Sequence, residues 1–196
     1  MQFNPSMEMT VPLNAINLDN IKVGPLITGR KLMTTISYES HDITMTSLSI
    51  ILPFATIHSY DPVSGHLILQ VTDNQYVTKL NGIQDHILKL VRGNQATWFP
   101  SYTQVGGNIR RGFQPMVEEN LLHVYCPVGS GCPYDISVYK GEWGRTTRGI
   151  IQVGQPIRAI IRIQGVAFHR NNLTSDWTGK FRLQHRILAI YVPQDT

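Results

Sequence analysis

Arg158 and Arg162 stand four residues apart, and Arg182 and Arg186 repeat that spacing further on. Each pair sits inside an alternating apolar segment. Ile157, Ala159, Ile161 and Ile163 alternate with the first pair. Phe181, Leu183, His185, Ile187, Ala189 and Tyr191 alternate with Arg182, Gln184, Arg186, Leu188 and Ile190. Strand side chains alternate between faces, so two such segments paired antiparallel put all four arginines on the face away from the aliphatic residues. Lys180 and Trp177 stand at the end of that face. Two loops add the same residue types: Arg110, Arg111 and Phe113 in one, Trp143, Arg145 and Arg148 in the other. Cations answer phosphates and flat rings stack on unstacked bases, which is what sequence-tolerant binding of a single strand requires. These residues are the candidate nucleic-acid-binding set.

Catalytic and metal chemistry find less support. No Walker A loop, dinucleotide-binding glycine motif, His-Glu-x-x-His or Gly-x-Ser-x-Gly is present. Ser137-Val138-Tyr139-Lys140 has the letters of Ser-x-x-Lys, a motif that works on a helix; on a strand its two ends face opposite ways. His123, Cys126 and Cys132 could offer metal ligands, but a strand through 121–126 points the first two apart, and no Cys-x2-Cys pair exists. Glu118 and Glu119 are adjacent and diverge if extended. The seven histidines form no short spaced cluster, and His185 on an apolar strand face reads as a core histidine. The expectation is a binding protein with no cofactor and no metal, not an enzyme, with Cys126 and Cys132 as two thiols.

Charge locates the partner. The net charge is 17 − 13 = +4, but residues 1–100 carry six basic and seven acidic side chains, and residues 101–196 carry eleven and six. The halves are therefore −1 and +5, and nine of the eleven basic residues in the second half are arginines. A polyanion belongs with the second half. Apolar residues make up 42% and charged residues 15%, against about 25% charged in ordinary domains. That balance excludes global disorder. Sixteen glycines and eleven prolines, with abundant Ile, Val and Thr, favour β-structure over a helical bundle. Met1 to Leu18 has no signal-peptide pattern, and the apolar run Leu48–Ile57 is short and contains Pro53. A soluble, intracellular chain with no membrane partner is expected.

The elements that must carry these residues read as a single domain over 1–196. Residues 1–25 form an extended arm or edge segment, interrupted by Pro5, Pro12 and Pro25. Residues 26–92 hold the first three strands, over 29–39, 46–54 and 66–71, and the helix. That helix is capped by Asp73 or Asn74, carries Tyr76, Leu80, Ile83, Ile87 and Val91 at helical spacing, and stops at Gly93-Asn94. Asp85 and Lys89 are an i,i+4 pair on its other side. Residues 93–154 read as an insertion with basic loops and short strands at 121–126 and 135–139. Residues 155–192 form a final β-hairpin. Three strands, a helix and two strands is the order of an OB-fold, a five-stranded Greek-key barrel. The alternative is a jelly roll or other β-sandwich, in which the short strands become full members.

Three blocks carry a resemblance. The first runs from Tyr76-Val77-Thr78-Lys79-Leu80 through Asn94-Gln95-Ala96-Thr97-Trp98-Phe99. The second runs from Val153-Gly154-Gln155-Pro156-Ile157 through Gly165-Val166-Ala167-Phe168, and the third is Trp177 to Ile187. In these, about a third of the chain, it is similar to the OB-fold single-stranded DNA-binding proteins of phages and large DNA viruses. The resemblance implies a replication or recombination protein that coats single-stranded DNA, with itself and other replication proteins as further partners. Many such proteins end in an acidic recruiting tail, whereas this sequence ends Tyr191-Val192-Pro193-Gln194-Asp195-Thr196. The competing expectation is a viral capsid or virion component built on a β-sandwich.

Overall fold

The period-two apolar patterns become strands, and the single strong 3.6-residue pattern becomes the helix. A computed structural model of the chain describes residues 9–100, 109–126, 137–140, 144–146 and 151–193. The strands are β1 (Val11–Pro12), β2 (Ile21–Ile27), β3 (Leu32–Glu39), β4 (Thr44–Met45), β5 (Leu48–Tyr60) and β6 (His66–Gln70). Helix α1 (Asn74–Trp98) follows. Then come β7 (Phe113–Gln114), β8 (Val117–Glu118), β9 (Leu121–Tyr125), β10 (Ser137–Lys140), β11 (Gly144–Thr146), β12 (Pro156–Arg170) and β13 (Trp177–Val192). The fold is mainly β, and no described helix is long and apolar enough to cross a membrane.

All the strands belong to one sheet, mostly antiparallel, whose main path runs β11-β10-β13-β12-β5-β6-β9-β8. Strand β12 organises it. Its first half pairs with β5, from Pro156 opposite Thr56 to Ile163 opposite Leu48. Its second half pairs with β3, from Gly165 opposite Thr35 to Phe168 opposite Leu32. Along its other edge it pairs with β13 throughout. Gly165 is needed at the crossover, because a Cβ there would fall on the Thr34 carbonyl.

The core lies on the inner face, with Leu48, Ile50, Leu52, Leu67, Leu69, Ile161, Ile163 and Phe181 all buried. Helix α1 covers part of it with Leu80, Ile83, Ile87, Leu88 and Val91. Asp73 caps the helix, its carboxylate accepting from the Gln75 backbone N–H at 2.8 Å. The buried Gln84 serves the connection to β8, its Oε1 accepting from the backbone N–H groups of Met116 (2.6 Å) and Val117 (3.0 Å).

Three expectations change. The helix does not stop at Gly93-Asn94 but runs on to Trp98, so it crosses the 92/93 boundary. Trp98 packs edge-on against Phe168, with centroids 6.0 Å apart, and this aromatic docking outweighs the roughly 1 kcal/mol that a mid-helix glycine costs. The described part of the N-terminal segment is built in at an edge: β1 pairs parallel with β5 and β2 antiparallel with β3, and Leu13, Ile16 and Ile21 are buried. Within 93–154, β9 pairs with β6 along its whole length, β7 joins β13, and β10 joins both β13 and β11. The short strands are full sheet members rather than an appended loop.

Candidate nucleic-acid interface

The outer face of β5, β12, β13 and β10 carries a row of side chains set by strand register. Phe54 on β5 lies opposite Arg158 on β12, and Arg158 lies opposite Tyr191 on β13. Tyr191 in turn lies opposite Tyr139 on β10, and β11 brings Arg145 to the same level. Cross-strand partners share a face, and the four strands β5, β12, β13 and β10 at about 4.8 Å spacing span about 14 Å. The Arg158 guanidinium sits over the Phe54 ring, 4.6 Å from its centroid. The Phe54 and Tyr191 rings are 6.4 Å apart at 60°. Phe54 is 45% exposed and Tyr139 is 41% exposed, unusual for aromatic residues on strands that also line a core.

A second row lies four residues along β12, about 13 Å away. Ser49, Arg162 and Arg186 occupy its positions on β5, β12 and β13. Arg162 Nε donates to the Ser49 hydroxyl at 3.4 Å. Partial burial, and then the neighbouring Arg186 charge, hold the Arg162 guanidinium below its ordinary pKa. Half-buried Ile51, Ile160, Ala189 and Ser137 fill the level between the rows.

The remaining candidates divide. Arg182 is exposed on the same ribbon opposite Ala167, and borders a cavity of about 330 Å³ shared with Lys31, Tyr125 and Gln184. Lys180 is exposed near the hairpin. Arg111 is exposed, whereas Arg110 donates from Nη2 to Asp85 of α1 at 2.6 Å. Asp85 is therefore paired with Arg110 rather than with the expected i,i+4 neighbour Lys89. Phe113 is half-buried against Phe181, with centroids 5.3 Å apart. Trp177 is corrected: it is 6% exposed, clustered with Phe99, Phe168 and Phe181, and donates its indole N–H to the Lys180 carbonyl at 2.9 Å. It is a core ring rather than an exposed stacking platform. Trp143 and Arg148 lie outside the described residues, as does Cys132; Arg145 is described by its backbone register alone.

The alternation from Phe181 to Tyr191 puts Tyr191 on the core face, whereas Tyr191, like Phe54, is on the outer one. Two β-bulges account for this. On β5, Leu52 and Pro53 together oppose the single residue Ala159, so the inward phase shifts from Leu52 to Ala55. On β13, Leu188 is the extra residue between the pairs Ile161–Ile187 and Ile160–Ala189, so Ile190 and Val192 turn inward and Tyr191 outward. Pro53 was the available signal, because proline inside a sheet is confined to edges and bulges.

The strands also gather histidines that are far apart in sequence. His123 Nδ1 lies 3.3 Å from His66 Nε2, and the His66 ring stacks between His123 and Tyr125. His185 has one ring nitrogen 3.1 Å from the Leu183 carbonyl and the other 2.7 Å from the His123 carbonyl, joining β13 to β9. Desolvation, and then His123, hold His66 below the ordinary histidine pKa, against a small opposing pull from Asp61. Desolvation is also the main cause that lowers His185. Glu118 and Arg182 border the same cavity of about 110 Å³. No group of three or more His, Cys, Asp or Glu among the described residues is arranged to hold a metal ion.

No protein-family model, curated protein or solved structure matches this chain.

Proposed function

We propose that the chain binds single-stranded nucleic acid, DNA in preference, on the outer face of β5, β12, β13 and β10. The observation that carries this reading is the register-matched row Phe54–Arg158–Tyr191–Tyr139, with Arg162 and Arg186 two levels along. Exposed rings offer stacking surfaces to unstacked bases, and the arginines beside them meet the backbone. A duplex hides its base faces, so exposed rings favour single strands. An OB-like barrel is the proposed architecture, supported by β12 sharing its length between β5 and β3; the short strands as full sheet members are what favours the β-sandwich alternative. Coating of single strands in viral DNA replication or recombination is the role this architecture and the resemblance support.

Fluorescence anisotropy tests the reading, using a labelled single strand of about 30 nucleotides, long enough for more than one site of the usual 4–16 nucleotides. Salt-dependent binding to the single strand, with much weaker binding to the matching duplex, is the expected result. No binding at low salt would remove the proposal. A large closed assembly without nucleic acid, seen by light scattering, would then favour a structural virion component.

A further inference from the structure

At the far end of the β12–β13 hairpin lies a cavity of about 300 Å³ that the outer-face reading does not use. Its walls are the rings of Trp98, Phe99 and Trp177 with Leu32. Phe99 and Trp177 are 4.4 Å apart, and Phe168 backs both at 5.0 and 5.5 Å, so these walls are rigid. Arg170 and Asp176 also line the cavity. The Arg170 guanidinium is held in place by two loop carbonyls, Nη1 donating to Gly29 at 3.3 Å and Nη2 to Thr28 at 3.0 Å. Its Nε is buried and has no hydrogen-bond partner among the described residues. Asp176 is exposed, and its carboxylate is an acceptor on the same cavity.

We infer that this cavity receives one unstacked guanine base. Trp98, the half-buried ring of the lining, offers its surface to a flat ring, with the buried Phe99 and Trp177 behind it. The volume is at the lower end of ligand pockets, about 300–1,000 Å³, and suits one base rather than a dinucleotide. Each Nη of Arg170 gives one N–H to a loop carbonyl and keeps a second for an incoming acceptor. Guanine presents acceptors at N7 and O6, which suit an arginine donor, and N–H donors at N1 and N2, which suit a carboxylate. Adenine has no matching two-donor edge, and the pyrimidines offer less ring to the walls. The ligand class rests on the single-strand reading above, but the site is separate from the arginine rows and fails separately.

The test is isothermal titration of the full chain with dGMP, dAMP, dCMP and dTMP, repeated on Asp176→Asn and Arg170→Gln. We expect dGMP to bind about tenfold tighter than the other three, the size of one well-made base contact, and Asp176→Asn to lose about that factor with an unchanged melting temperature. Arg170→Gln should also weaken dGMP. No saturable dGMP binding, equal affinity for all four, or unchanged dGMP affinity in Asp176→Asn would overturn the inference. Strand binding by anisotropy is measured alongside. Its loss in Arg162→Ala/Arg186→Ala with dGMP affinity retained is the expected separation of the two sites. Failure of the wild-type chain to bind any strand, with dGMP still bound, would overturn the outer-face reading alone.

Discussion

Arg162 and Arg186 face each other directly across β12 and β13, and the charge of Arg186 works against the charged state of Arg162. Like charges opposed on a sheet are unfavourable, by roughly 0.2–1 kcal/mol for a typical cross-strand pair. A phosphate that takes hydrogen bonds from both guanidiniums relieves that repulsion. Arg162→Ala/Arg186→Ala should therefore weaken single-strand binding and flatten its salt dependence by about 1.4 in the log–log slope, about 0.7 per lost contact. Anisotropy at several salt concentrations reads this directly. An unchanged slope would place the strand elsewhere.

The rings divide into two classes with opposite expected phenotypes. Phe54→Ala and Tyr139→Ala remove exposed rings, so each should cost about 1–3 kcal/mol of binding per stacked base and leave the melting temperature nearly unchanged. Trp177→Ala removes a buried ring and should cost about 3–5 kcal/mol of stability. Paired anisotropy and thermal melts decide between the classes.

Acid should destabilise the fold through its histidines. His66 and His185 both have folded pKa values below the ordinary range. Above about pH 6.5 both states hold these rings neutral, and there is no difference between them. As pH falls from there toward the folded pKa values, the unfolded chain takes up protons that the folded chain refuses, and stability drops. Denaturant melts from neutral pH downward should show this slope. His66→Gln should reduce it, because a group that cannot titrate is removed.

Gly165→Ala should disrupt the crossover of β12 from β5 to β3. The added methyl meets the Thr34 carbonyl, which is backbone and cannot swing away. A loss of at least about 1–3 kcal/mol is expected, the usual range for overpacking. Circular dichroism melts measure it, and a neutral result would mean that β3 lies further from β12 than this register places it.

The parts of this architecture set by local patterns were legible in the sequence. Leu80, Ile83, Ile87 and Val91 mark α1, and the aspartate that caps it, Asp73, was one of the two expected. The aliphatic alternation in β12 and the outward placement of Arg158, Arg162 and Arg182 followed from period two alone. What was hidden depends on distant partners. Trp98 extends the helix past Gly93 because Phe168, seventy residues further on, is there to receive it. His66, His123 and His185 meet only because β6, β9 and β13 come together. Trp177 looked like a surface ring because its neighbours in sequence are polar, whereas its neighbours in space are Phe99, Phe168 and Phe181.

Leu188 and Pro53 have a consequence for how this chain tolerates change. Each sits where its strand carries one residue more than its partner strand does. The aromatic row therefore depends on the phase of the chain as much as on which residues compose it. Drawing Leu188 into the ladder, with strict alternation from Ile187 onward, would swing Tyr191 into the interior and present Ile190 to solvent. Every side chain of the binding row would still be encoded, yet the row would be broken. Deleting Leu188 instead removes the extra residue and leaves Tyr191 opposite Arg158, so the row tolerates loss of the bulge residue better than its capture by the ladder.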